Sequence, residues 1–242
     1  MGLGLVGVCT ALIASRLAPT GECISNVGAS LLAMAVQATG KEFIDYGERS
    51  FYCSHMNEIT DNQTRDIILD VTEKLIYKSG IAATGMDLLV KTAGVSRKSI
   101  YRYFANKEAL TLAALQRRDV RWMHWFTTAV GQAETPADRL LNLFTVLKSW
   151  FDAEGFRGCA FINTSGETGD PQDPVRLIAK DHKQKLLDYL CELCTEHGTD
   201  DPQTLAKQLL ILIEGAITVA LVMGDHSAAD NAQCMARKLL DL

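Results

Sequence analysis

The sequence predicts an all-α chain, with a short N-terminal three-helix module followed by a larger helical domain. Three observations carry this. Beyond residue 60, apolar residues recur at helical spacing through most of the chain. Only five of 242 residues are proline, and Pro136, Pro174 and Pro202 stand where a helical pattern begins, a position that tolerates proline. Charge divides the chain in two: residues 65–118 carry 10 Lys/Arg against 5 Asp/Glu, and residues 119–242 carry 11 against 18.

Hydrophobic residues make up 48% and charged residues 22%, an ordinary soluble globular composition. The length allows one large domain or two small ones. Overall the chain is acidic, with net charge −5, so its basic segment suggests a polyanion partner and its acidic remainder a different task. The cysteines stand at 9, 23, 53, 159, 191, 194 and 234. Their odd number and wide spacing argue against a disulfide framework, and a cytoplasmic location is expected.

Residues 1–55 do not match the rest. Positions 1–40 are rich in Gly, Ala and Ser, with Arg16 the only base before Lys41. The apolar runs Leu3–Ala14 and Val27–Val36 fall short of the roughly 20 residues that span a bilayer. No Lys or Arg precedes the first run, so a signal peptide would lack its basic start. Met56 opens NEITDNQTRDIILD, a polar lead into a strong helix. Residues 1–55 are therefore expected to be an atypical extension, either outside the native chain or poorly ordered. A genuine extension helix and a targeting segment are the alternatives. No membrane partner is expected.

The regular text starts at Thr64, a candidate N-cap. Ile67, Ile68, Val71, Leu75 and Ile76 then recur on one helical face. Ser79-Gly80 ends that helix, with Gly80 in a left-handed position. A short helix follows over about Met86–Thr92, with Met86, Leu89 and Val90 inward. Ala93-Gly94-Val95-Ser96 makes a tight turn in which Gly94 takes positive φ and Ser96 caps the next helix. That helix, about Arg97–Phe104, buries Ile100 and Phe104. Two short helices joined by a four-residue glycine turn are a helix-turn-helix.

The stretch GVSRKSIYRYF, residues 94–104, concentrates Arg97, Lys98, Arg102 and two tyrosines. With Ile100 and Phe104 inward, Arg97, Lys98, Tyr101 and Arg102 are left to project outward. A helix fits the DNA major groove, where Arg and Lys reach base edges and phosphates. Tyrosine hydroxyls bond phosphate oxygens and fix register. Asn106 caps the following helix, and Lys107 at its start adds a phosphate partner. A double-stranded DNA operator is the expected partner.

Residues 65–110 resemble the DNA-binding domain of the TetR (tetracycline repressor) family of bacterial regulators. The resemblance rests on Gly80, Thr84, Leu89-Val90, AGVS at 93–96, RKSIYRYF at 97–104 and KEAL at 107–110. It implies DNA contacts from Thr84, Arg97, Lys98, Ser99, Tyr101, Arg102, Tyr103 and Lys107. Gly85 stands where the family often has a second Thr, and Lys98 where Gly is common.

The second half reads as further helices. One runs from Asn106 to about Val130 and one from Thr135-Pro136 to about Phe151. GFRGCAFINTSGETG, residues 155–169, is an apolar core in a polar surround. Then come a long helix from Asp173-Pro174 to about His197, a very apolar one from Pro202, and a last one over Ala228–Leu240. RGCAFIN, DPVR and EGA are similar to the ligand-binding half of a TetR-family subgroup, which implies an all-α domain whose last two helices, about 203–240, pair across a two-fold axis. The apolar helix bearing Leu209, Leu210, Leu212, Ile213, Ile217 and Leu221 needs burial on several sides, which agrees with a homodimer.

Trp122, His124, Trp125, Phe126, Trp150, Cys159 and Phe161 are candidates for an effector pocket, with core packing as the alternative. Glu214, in an apolar run, needs a partner such as an internal base or a polar ligand group. Cys191-Glu-Leu-Cys194 lies near a helix C-terminus, unlike a redox motif at a helix N-terminus, and structural packing is the simpler reading. No catalytic triad, P-loop or metal motif is present, so no enzyme activity, metal or cofactor is expected. The expected domains are the extension (1–55), a helix-turn-helix DNA-binding domain (56–110) and an effector-binding and dimerisation domain (111–242). The whole predicts a ligand-responsive, sequence-specific transcriptional regulator, a repressor released from a palindromic operator by a small molecule. A cysteine-based redox or electrophile sensor of the same fold is the alternative.

Overall fold

A computed structural model describes residues 48–242, with side chains from residue 61 onward. Every regular element among them is helical. In chain order these are α1 (Glu48–Ala83), α2 (Met86–Ala93), α3 (Arg97–Tyr103), α4 (Lys107–Val130), α5 (Pro136–Phe151), α6 (Ala160–Ser165), α7 (Pro174–His197), α8 (Pro202–Met223) and α9 (Ala228–Leu239). The expectation of an atypical extension falls on residues 1–55, of which 1–47 lie outside the described residues.

Ser96 and Asn106 cap as expected, Thr135 and Asp173 cap at the expected openings, and Asp201, not singled out from sequence, caps the helix that Pro202 opens. Ser96 accepts from Ser99 N, Asn106 from Ala109 N, Thr135 from Asp138 N, Asp173 from Val175 N and Asp201 from Thr204 N. Each satisfies a backbone donor that the first helical turn leaves open. Gly94 takes the left-handed conformation (φ 65°, ψ 24°), and its N–H bonds Val90 O.

Two expectations for α1 are corrected. The helix is already formed at Glu48, so Thr64 lies inside it and is not its N-cap. The buried face is Ile68, Leu69, Thr72 and Ile76, while Ile67 is exposed. The apolar run Ile67-Ile68-Leu69 spans about 200° of the helix circumference, and packing selects its later two residues. Thr72 joins that face because its hydroxyl donates to Ile68 O at 2.7 Å. Gly80 does take positive φ (85°), yet its ψ of 170° is extended, and Ile81–Ala83 form one more turn.

Two apolar clusters organise the chain. Ile68, Leu69, Leu89, Ile100, Phe104, Leu110 and Ala114 close the first, which joins α1 to α4. The second is larger and includes Phe126, Leu140, Phe144, Leu147, Leu190, Leu209 and Ile213. Ile76 of α1 and Leu115 of α4 belong to the second, so these two helices run through both clusters. Arg117, Arg118 and Arg121 of α4 pair with Asp66, Asp70 and Glu73 of α1. Arg118 also lies 3.9 Å over the Tyr77 ring.

Helix α8 is long and apolar enough to cross a membrane by composition. It packs instead against α5, α7 and α9, and Leu209, Ile213, Ile217 and Ala220 are buried there.

Candidate nucleic-acid interface and internal cavity

Helix α3 is seven residues long and is held from behind by Ile100 and by Phe104 at its end. That burial leaves Arg97, Lys98, Tyr101 and Arg102 exposed, with Tyr101 at 45%. Arg97 pairs with Asp87 of α2 and Arg102 with Asp61 of α1. The Tyr103 hydroxyl also donates to Asp61. These bonds, that of Tyr103 foremost and then that of Arg102, hold the Asp61 carboxyl below its ordinary value. Ser99 is half-buried with its hydroxyl 2.8 Å from that of Ser96. Lys98 makes no ion pair among the described residues.

Three of the residues expected to contact DNA are placed differently. Thr84 is 0% exposed, and its hydroxyl donates to Gly80 O at 2.6 Å, so it presents nothing to a phosphate. Lys107 is half-buried and donates from Nζ to Ile81 O at 2.8 Å. Tyr103 is half-buried with its hydroxyl committed to Asp61. In each case a backbone or carboxylate acceptor nearby satisfies the group, so these side chains brace the module from inside.

In the larger domain, Trp122, Trp150, Cys159 and Phe161 meet around a small cavity of about 10 Å³, room for no more than one water. Arg118, Ala160, His182, Lys183 and Ile217 complete the wall. Phe126 is fully buried behind it, stacked on Trp122 at 4.8 Å between ring centroids. Trp125 and His124 face outward, and Trp125 meets the edges of Trp122 and Trp150 and lies tilted against Phe126. The partner expected for Glu214 is Lys183, whose Nζ donates to Oε1 at 2.6 Å and to Cys159 Sγ at 3.3 Å. Glu214 Oε2 and Trp122 Nε1 are buried without a hydrogen-bond partner. Burial works against the Lys183 ammonium, but Cys159 and Glu214 beside it outweigh burial and raise its pKa.

Asp119, His182 and Lys185 were not singled out from sequence. Asp119 of α4 is 4% exposed, with one oxygen 2.7 Å from His182 Nδ1 and the other accepting from Lys185 Nζ at 2.7 Å, both on α7. His182 in turn stacks on Phe161, 3.9 Å between ring centroids. Burial pushes the Asp119 carboxyl up, but its bonds to His182 and Lys185 prevail and hold it below its ordinary value. Burial keeps His182 below its ordinary value against the pull of Asp119. A signal existed: Val175, Ala179, His182, Leu186 and Leu190 follow helical spacing, which places His182 on the inward face.

Cys194 is buried, and burial pushes its thiol up to about 12. It is therefore a thiol at neutral pH and a poor nucleophile.

Two family models match this chain. Residues 68–114 match "Bacterial regulatory proteins, tetR family", and residues 136–236 match "Tetracyclin repressor-like, C-terminal domain". Between them they cover more than half of the sequence. The chain belongs to the TetR family. Its membership makes it a DNA-binding transcriptional regulator, and TetR-family regulators generally act as dimers that answer to small-molecule effectors. Among curated TetR-family relatives, the Escherichia coli (strain K12) HTH-type transcriptional regulator YjdC is 26% identical over 177 residues, covering 73% of this chain and 93% of YjdC. The HTH-type transcriptional repressor NemR of the same organism is 27% identical over 195 residues, covering 76% of this chain and 98% of NemR. The crystal structure of a TetR-family regulator from Streptomyces coelicolor superposes with a TM-score of 0.70 at 27% identity, over 74% of this chain and 95% of that one.

Proposed function

We propose that this TetR-family regulator is a homodimeric repressor that acts by binding rather than catalysis, holding a near-palindromic operator until a small effector releases it. The observation that carries this reading is α3: Ile100 and Phe104 are buried and Arg97, Lys98, Tyr101 and Arg102 are exposed. Likeness to a named repressor, NemR, favours repression over activation. Residues 56–110 serve as the DNA-reading domain and 111–242 as the effector and dimerisation domain, in the cytoplasm.

The effector site is the cavity beside Cys159, Phe161, Trp122 and Trp150. At about 10 Å³ it is too small for anything larger than a water, so a ligand binds only a widened conformation. That difference in affinity is what moves the equilibrium away from the DNA-binding state.

The test is fluorescence anisotropy of the protein against duplexes selected from a random library, across a salt series. Tight, salt-sensitive binding to the selected duplex, well above scrambled DNA, is expected. Arg97→Ala or Lys98→Ala should cost about 1–3 kcal/mol of binding and relax sequence preference at one position. Equal, weak binding to selected and scrambled duplexes would remove the regulator reading.

A second reading, of an electrophile sensor, is favoured by one contact, that of Cys159 Sγ with Lys183 Nζ at 3.3 Å. That contact places a cation beside the sulfur that an electrophile would attack. On this reading N-ethylmaleimide releases the wild type from DNA and leaves Cys159→Ser bound. Release of both proteins alike would dismiss Cys159 as the sensor.

A further inference from the structure

We infer that Glu167 is the positioning residue through which the effector domain sets the helix-turn-helix: its carboxylate caps the backbone amides of Ile81 and Ala82 in the turn that leads into α2. The inference rests on the reading of α2 and α3 as the DNA-binding element.

Helix α1 is interrupted at Gly80 (φ 85°, ψ 170°). An extended ψ is what the residue before a helix adopts, and Ile81–Ala83 start a fresh turn. The first amides of such a turn have no carbonyl behind them. A side chain of the starting residue usually accepts from them, and glycine has none. Glu167 supplies the acceptors instead: Oε1 takes Ile81 N–H at 2.9 Å and Oε2 takes Ala82 N–H at 2.8 Å. A Cβ on Gly80 would lie 2.8 Å from Glu167 Oε1. The carboxylate therefore occupies the space that a side chain at position 80 would fill.

The other polar groups of the turn are satisfied from within the DNA-binding module. Thr84 Oγ1 donates to Gly80 O at 2.6 Å, and Lys107 Nζ and Thr84 N donate to Ile81 O at 2.8 and 3.2 Å. Glu167 comes from the far side, two residues beyond α6. The front of α6 is tied to α1 as well. The Tyr77 hydroxyl donates to Gly158 O at 3.0 Å and accepts from Arg157 N at 2.9 Å.

Helix α6 is thus fastened to α1 at both ends, and its first residues, Ala160 and Phe161, with Cys159 before them, wall the cavity. Widening the cavity against α6 moves Glu167 with it. The clasp is formed while the cavity is too small for an effector, so on the proposed reading it belongs to the DNA-binding state.

The full chain tests this by amide hydrogen exchange and DNA titration of Glu167→Ala and Glu167→Gln. In Glu167→Ala, the Ile81 and Ala82 amides should exchange about tenfold faster or more, with the amides of Leu143, Phe144 and Leu147 unchanged. Affinity for the selected duplex should fall about tenfold. The salt slope should stay the same, because no phosphate contact has been removed. Glu167→Gln keeps one acceptor oxygen and should protect one of the two amides. It carries the test if Glu167→Ala loosens the whole fold. Unchanged exchange at Ile81 and Ala82 overturns the clasp. Faster exchange with unchanged affinity overturns its positioning role. Failure of the wild type to bind any selected duplex overturns the regulator reading, while the exchange result still decides the clasp.

Discussion

Asp119→Ala should destabilise the fold by about 1–3 kcal/mol, the cost of leaving a buried polar group without its hydrogen-bond partner. The substitution deprives His182, 1% exposed, of its hydrogen-bond acceptor, and it frees Lys185 from its link across α4 and α7. Chemical denaturation monitored by circular dichroism measures it. The pH dependence gives the pair a signature. His182 lies below its ordinary value of 6.5 in the fold, so the unfolded chain binds the extra proton as pH falls below about 6.5. Asp119 lies below its ordinary value of 3.8, so its contribution is present above that value and is lost as pH falls through the folded one. Both act in the same direction, and acidification from neutral pH destabilises the wild type. Asp119→Ala should flatten the limb below 3.8, since it no longer carries that carboxyl. Parallel stability curves for the two proteins would show that Asp119 is not a titrating element of the fold.

Ile211→Asp is expected to split the dimer and to reduce operator affinity by about 100-fold or more, since a near-palindromic site is read by two recognition helices held at fixed spacing. On α8, Ile211, Gly215, Thr218 and Val222 recur at helical spacing, and all four are exposed; Ile211 is 70% and Val222 75% exposed. Beyond its chain neighbours and its own helix backbone, no atom lies within 4 Å of where a Cβ on Gly215 would stand, so a second helix has room to approach. Met235 and Leu239 of α9 extend the exposed apolar surface. An aspartate at 211 desolvates at such an interface and costs little in a monomer, so thermal stability at low protein concentration should barely change. Sedimentation velocity is the direct measurement. A dimer that survives Ile211→Asp would place the interface on another face.

The DNA-reading module was legible because its signals are local. Gly94 needs positive φ, Ser96 caps within three residues, and Ile100 and Phe104 lie one helical turn apart. The expected ends of α4, α5, α7 and α8 were legible for the same reason, through Asn106, Thr135, Asp173 and Pro202. Where a long-range partner decides, local reading failed. Lys107 carries a group suited to phosphate, yet Ile81 O, 26 residues back in the chain, takes it; Thr84 is taken by Gly80 O four residues back, a local bond that the reading missed. Ile67 lost its place in the core to Leu69 because apolar residues adjacent in sequence leave the phase of the buried face open.

The candidate cavity shows the same division. Its aromatic wall was named from the sequence, but Lys183 and His182 enter through packing of α4, α6 and α7, with Asp119 bound to His182 behind it. The spacing of His182 and Lys183 along α7 says which face each occupies and nothing about which residue it meets. The sequence by itself determined the long helices beyond Gly80, most of their caps, the family and the basic face of α3, since each depends on residues within a turn or two of one another; the start of α1 and the short helix α6 it did not give. Tertiary structure alone decided that Glu214 finds Lys183, that Asp119 binds His182, and that Glu167 reaches the turn after Gly80. Those pairings span 31 to 86 residues of chain, and a contact across that distance exists only once the helices between have packed.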